Sequence, residues 1–255
     1  MIDDIRKVAP EQHWQAFEQM WTGLMTYRYL NKETPLLDAG VEKETMPLRH
    51  DMRNAHGGVM AAPLCIACPE PYLGDDEAVP APVIAFLQIL DDARDVARVD
   101  VLREVLSKGK RMAFSRSKVV DAADHERVIA VSAGMGVSLA AVPGGYERVR
   151  NPPIPVADSP GMPRLHEAFG AAKGSDGRWR LPPLSREQSA PHAALHLGPI
   201  HIVLEVAAME RAAEAAGTAL GELTVTPTAR SAAAAFDPRC GPQERLASHA
   251  GPVIL

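Results

Sequence analysis

MRNAHGGVMAAPLCIAC, residues 52–68, opens on a polar turn, passes through paired glycines and runs straight into apolar residues. Near the C-terminus the chain offers ALHLGPIHIVLEVAAM, residues 194–209, with a His, a Gly two places later and an apolar run of the same phase. Both read as starts of buried helices, the first over 57–68 and the second over 198–216. Aligned on their histidines, the copies put His56 over His196, Gly58 over Gly198, Val59 over Pro199 and Cys65 over Glu205. Pro199 suits the first turn of a helix, where its missing N–H is no loss. Leu197 stands where the first copy has Gly57, which narrows the second backbone pocket. Only one copy carries an acid: Glu205 is the sole charge between Gly198 and Met209. A carboxylate on an apolar helix face is costly unless paired, hydrated or catalytic. His201, one turn earlier, offers the structural pairing; a titrating functional group is the other reading.

Working outward, residues 9–30 place Trp14, Phe17, Trp21, Leu24 and Tyr27 at steps of three and four, an amphipathic helix whose stripe reads as packing. Residues 40–50 fit an extended segment broken at Pro47, and PEPYLGDDEAVP closes the first buried helix with prolines and acids. Three Val-rich alternating runs follow, 98–106, 111–121 and 127–139, joined by short turns and therefore read as antiparallel neighbours. Residues 142–163 are dense in Pro and Gly and read as a linker. Beyond it the order recurs: a helical segment near 165–172, an extended GRWRLPPL, then the second apolar helix. After that helix one strand, 222–226, is legible before Ala-rich sequence punctuated by prolines. The expected organisation is a helix within residues 1–30, a first unit over 31–141, the linker, and a second, shortened and incomplete copy over 164–255.

Composition sets bounds. The chain has 255 residues, 46% hydrophobic and 23% charged, with a formal net charge of -5. That balance gives a globular protein without a broad basic surface, so no nucleic-acid partner is expected. No apolar run is long enough for a membrane span. The acidic start MIDDIRK is unlike a secretory signal, and three cysteines make no disulfide framework. A cytoplasmic location is the expectation. Cys65 and Cys68 have no second pair for zinc, so no metal is expected, and both read as small buried residues.

Asn54-Ala55-His56-Gly57-Gly58 resembles the helix-start motif of hotdog-fold acyl-CoA thioesterases, particularly the phenylacetate-pathway type, and the strands that follow resemble that family's sheet. The likeness covers 40–140 well and 178–216 more thinly. It implies an α+β double hotdog, each half an antiparallel sheet wrapped around a central helix, with no cofactor. It also implies that the two central helices lie side by side and antiparallel, so that an acid nine residues into one, roughly 13 Å along its axis, lies near the start of the other. Carried onto this chain, the expected composite site joins Asn54, His56 and Gly57 from the first half to Glu205 from the second, with Glu205 as general base or nucleophile on an acyl-CoA or acyl-carrier thioester. Amides at Gly57 or Gly58 would stabilise the oxyanion. The reciprocal site, with Leu197 and Cys65, would lack an acid.

Lys108, Lys110, Arg111, Arg116 and Lys118 form a basic cluster that suits CoA phosphates, though a lysine-guarded strand edge gives the same pattern. His125, in a polar turn, reads as surface decoration. The competing functional readings are a non-catalytic acyl- or ligand-binding hotdog protein and a hotdog hydratase or dehydratase. Association into homo-oligomers through sheet edges is a further implication of the resemblance.

Overall fold

The computed structural model describes residues 7–31, 43–68, 78–141, 153–190, 194–217 and 228–232. Its centre is an antiparallel sheet. β1 (Lys43–Pro47) precedes the central helix α3 (Ala61–Ala67). β2 (Ala78–Ile89), β3 (Arg98–Lys108), β4 (Met112–Asp121) and β5 (Val128–Ala141) follow it. The strands lie in the order β1-β3-β4-β5-β2, and β8 (Thr228–Ala232) extends the sheet beyond β2. One helix inserted between the first two strands and wrapped by a five-stranded antiparallel sheet is the hotdog arrangement.

The sheet has two unlike faces because its strands alternate. On β4, Ala113, Ser115, Ser117 and Val119 are buried, whereas Met112, Phe114, Arg116 and Lys118 are exposed. The buried face carries α3. Ser117 donates to the Cys68 carbonyl at 3.1 Å, and Arg103, paired with Glu44, donates to the Ala67 carbonyl at 2.6 Å. The C-terminal carbonyls of α3, which lack partners inside the helix, are thus met by side chains of the sheet. Its N-terminal end is tied to the β2–β3 loop, where the Val59 N–H reaches the Asp92 carbonyl at 2.8 Å.

β2 escaped the sequence reading because Pro80 and Pro82 demote a strand. The structure accommodates them with register shifts between Ala78 and Pro80 and between Pro82 and Ile84, where the β5 ladder is already interrupted. The other three strands lie where alternation puts them.

The expected helix over 9–30 is two, α1 (His13–Thr22) and α2 (Met25–Tyr29). Leu24 leaves helical geometry, with ψ at 124°, and turns the chain. Phe17, Leu24 and Tyr27 are buried, so the stripe does pack. Part of the segment read as a linker is laid on the first half: Ile154 N–H donates to the Arg28 carbonyl, and Asp158 accepts from the His50 N–H. The second half then supplies α4 (Leu165–Ala168), a small hairpin of β6 (Ala172–Lys173) and β7 (Trp179–Arg180), and α5 (Leu197–Ala216). α5 packs on α3, with Ile202 inside the same core as Leu24, Met52, Leu64 and Ile129. It stops at Gly217, whose φ of 64° suits a residue without a Cβ. The strand expected over 222–226 lies outside the described residues; β8, at 228–232, pairs with β2.

Candidate active site

The backbone donors between residues 56 and 62 can be followed one by one. Asn54 Oδ1 accepts from the His56 and Gly58 N–H groups, at 2.9 and 3.1 Å, and the Asn54 carbonyl accepts from Gly57. Val59 donates to Asp92, and Met60 donates to the Met52 carbonyl. Gly57 sits at φ 82°, a conformation that suits glycine. The His-Gly-Gly segment is therefore a closed turn, and α3 begins at Ala61 rather than at Gly57. This corrects the expectation that the glycines open the helix.

The first amides facing outward are Ala61 and Ala62, because Pro63 has no N–H. Both donate to one carboxylate from the other half of the chain. Ala61 reaches Glu205 Oε1 at 2.6 Å and Ala62 reaches Oε2 at 2.7 Å. Glu205 lies near the middle of α5. Its acid is pushed up to about 7 by burial, which outweighs the opposing pull of the two amides. Burial also pushes His201 down. The bonds that hold Glu205 run to the amides of α3, one helix start away from the His201 pairing considered from sequence.

The two halves repeat in their hydrogen bonds, in a register that differs from the histidine alignment by one helical turn. Met60 N–H to Met52 carbonyl recurs as His196 N–H to Gln188 carbonyl, and Asn54 to Gly58 recurs as Ala190 to Ala194. The bridge between Arg53 and Val59 recurs between Ser189 and Leu195. In this register Pro63 lies over Pro199, Ala62 over Gly198 and Met60 over His196, so the counterpart of His56 is His192. The alignment on His196 went astray because PHAALHLGP holds two histidines and only the second precedes a glycine. The prolines in the first helical turns were the better anchor.

At the second helix start the amide of Gly198 is capped locally, donating to His196 Nδ1 at 3.2 Å. The other ring nitrogen of His196 meets the Tyr27 hydroxyl at 3.2 Å. A Cβ on Gly198 would overlap the Thr26 methyl, so α2 fills the space in front of α5. Cys65 and Cys68 are buried thiols on and beside α3.

Of the residues singled out from sequence, Asn54, His56, Gly57 and Gly58 share the turn that leads into α3, and Glu205 meets the helix they precede. Gly58 packs tightly, an added Cβ lying 3.1 Å from Asn54 Nδ2 and 3.3 Å from Asp92 Cβ. His56 Nε2 is buried and has no hydrogen-bond partner among the described residues. The basic cluster lies elsewhere. α3 runs from the Arg98 end of β3 toward Arg103 and beyond, so Lys108, Lys110 and Arg111 sit about 30 Å along the strand from the turn. Arg116 and Lys118 face away from α3, and Arg116 is ion-paired with Glu104 at 2.6 Å. His125, read as decoration, meets the buried Asp100 at 2.7 Å. Among the described residues no group of His, Cys, Asp and Glu is arranged to hold a metal ion, and no helix is long and apolar enough to cross a membrane.

No family model and no curated protein matches the sequence. Solved structures that the chain matches include thioesterase-family proteins. One is the PaaI protein of the Escherichia coli phenylacetic acid degradation operon, 15% identical over 39% of this chain and 72% of its own, with a TM-score of 0.34. A putative thioesterase from Novosphingobium aromaticivorans is 14% identical over 72% of this chain and 76% of its own, with a TM-score of 0.43. The tesB protein of Mycobacterium avium subs paratuberculosis is also 14% identical, over 72% of this chain and 71% of its own, at 0.42.

Proposed function

We propose that the protein hydrolyses acyl thioesters of CoA or of an acyl carrier, as a double hotdog with one composite site between its halves. The observation that carries this reading is the Glu205 carboxylate on the Ala61 and Ala62 amides. An acid whose protonation changes near neutral pH, set against backbone donors, is the pairing that acyl transfer from a thioester needs. The buried His56 Nε2, without a hydrogen-bond partner among the described residues, supports a ligand at the turn that leads into α3, since a buried polar atom without a partner is costly. The recurring turn and helix start, and the way β8 continues the sheet past β2, support a second hotdog unit.

In the proposed reaction the thioester oxygen takes one of the two amides while the carboxylate keeps the other. The released carboxylate oxygen removes a proton from water as the water oxygen bonds to the carbonyl carbon. The amide holds the negative charge formed on the former carbonyl oxygen. Collapse of that intermediate breaks the carbon–sulfur bond, and the proton on Glu205 passes to the leaving sulfur, giving an acid and a thiol.

The test is thiol release from a panel of acyl-CoAs by the wild type, Glu205→Gln and Glu205→Ala. Turnover that disappears in both variants supports the reading. Unchanged turnover in both overturns it, and a wild type that binds acyl-CoA without releasing thiol makes the protein a binding module.

A further inference from the structure

Arg53 carries no role in the reading above, yet its guanidinium is the most connected group around the turn. Nη1 donates to the Gly57 carbonyl at 2.9 Å and to the Ala93 carbonyl at 2.8 Å. Nη2 donates to the carbonyls of Leu48 and Val96. A cation bonded to neutral carbonyls from the end of β1, the turn and the β2–β3 loop ties three backbone segments together in one plane. The loop it grips is itself held open in an uncommon shape. Buried Ala93 has φ 51°, its N–H donates to Asp91, and Asp91 is held by Arg127 from the far side.

The peptide unit between Gly57 and Gly58 shows what the clamp does. Its oxygen is held by Arg53 and its N–H by Asn54 Oδ1, so both ends of one plane are fixed. Between two glycines that plane would otherwise turn at little cost. An added Cβ on Gly57 would meet nothing within 4 Å, so one side of this peptide borders open space.

The second half supplies a control within the same chain. Its equivalent turn closes at 2.7 Å between Ala190 and Ala194, as the first closes at 2.8 Å between Asn54 and Gly58. In place of Arg53 and Asn54 it has Ser189 and Ala190, and among the described residues the Ser189 hydroxyl donates to its neighbour's carbonyl. Turn closure therefore does not require the guanidinium. The guanidinium is present only in the copy that meets Glu205.

We propose that Arg53 is a positioning residue, locking the Gly57–Gly58 peptide and the β2–β3 loop so that the turn presents a fixed wall to the reacting thioester. This rests on the thioesterase reading. Lys brings three donors on a point charge and cannot reproduce the planar fork.

The experiment compares Arg53→Ser, which installs the second half's own residue, with Arg53→Lys. Both are expected to melt cooperatively. In both, kcat falls at least 10-fold with KM within about 3-fold, the pH inflection assigned to Glu205 stays in place, and the Gly58 amide exchanges faster with solvent. A folded variant with wild-type kcat overturns the proposal. So does failure of both variants to fold, since that makes the clamp a requirement of the fold. A wild type without thioester turnover sinks the thioesterase reading instead, and the amide exchange of the two variants still reports whether the lock exists.

Discussion

The two helix starts of this molecule satisfy the same backbone requirement by opposite means. Each opens after a closed turn, and each has a proline in its first helical turn. At α5 the exposed amide is served by its own N-cap, His196, two residues away, and α2 is pressed against the space in front. At α3 the N-cap is Met60, which has nothing to offer, and the amides are served by a carboxylate 144 residues along the chain. A local cap is complete once the helix folds. A remote one exists only when the halves are together, and it puts a titrating acid at an interface. A recurring element need not serve one purpose twice: one start is closed onto its own cap, while the other joins a charge to backbone donors across the two halves.

Removing the remote cap is expected to have the largest effect. Glu205→Gln and Glu205→Ala are each expected to lower turnover by about 10²–10⁴, the usual range for a general base, whereas Cys65→Ala, which alters a buried thiol of α3, leaves it within a few-fold. Equal effects at Glu205 and Cys65, measured by thiol release, would mean that the loss reports disturbed packing of α3 rather than a missing base.

The pH dependence of the wild type sharpens the same point. On the proposed reading Glu205 acts in its ionised form, so kcat/KM is expected to rise with pH through about 7. Stability moves in the opposite direction. A carboxyl whose folded value lies above its ordinary 4.5 favours folding fully below pH 4.5, and that contribution is lost as pH rises through about 7. The expected loss is on the order of 1–3 kcal/mol, read from denaturant midpoints between pH 4.5 and 8, and the slope flattens in Glu205→Ala. A wild-type profile as flat as the variant's would mean that the acid is solvated rather than buried.

Much of this was legible in the sequence, for reasons that are local. The three strands after α3 alternate strictly, and alternation is enough to give them faces and neighbours. Glu205 stood out because a lone charge on an apolar helix face has few inexpensive explanations. What eluded sequence was register. Two histidines four residues apart allowed two alignments, and the backbone hydrogen bonds and bridges of the two turns decide between them. Arg53 was invisible because its partners are carbonyls, which every residue has. The basic cluster misled because alternation separates Arg116 and Lys118 from Ser117 by a whole sheet thickness, and strand length carries Lys108 away from the turn.

Glycines give the smaller tests. Gly198→Ala is expected to destabilise by about 1–3 kcal/mol, the usual penalty of overpacking, although alanine is the better helix former. The reason is that Thr26 fills the place where the methyl would go. If thermal melts show Gly198→Ala to be neutral, α2 does not close the second start, and the contrast between the copies loses its steric half.

Gly57→Ala probes the first start and is expected to have the smallest effect on stability, about 1 kcal/mol. Nothing lies within 4 Å of the new methyl, so the penalty comes only from holding alanine at φ 82°. The second half carries Ala193 at the equivalent position, so the substitution gives one copy the other's residue without crowding it. Stability and activity should therefore separate. A methyl projecting into open space leaves the fold nearly intact, and on the proposed reading it stands at the wall met by the thioester, so KM for acyl-CoA is expected to rise while the melting midpoint moves by a few degrees. An unchanged KM would place the substrate away from Gly57, on another side of the carboxylate.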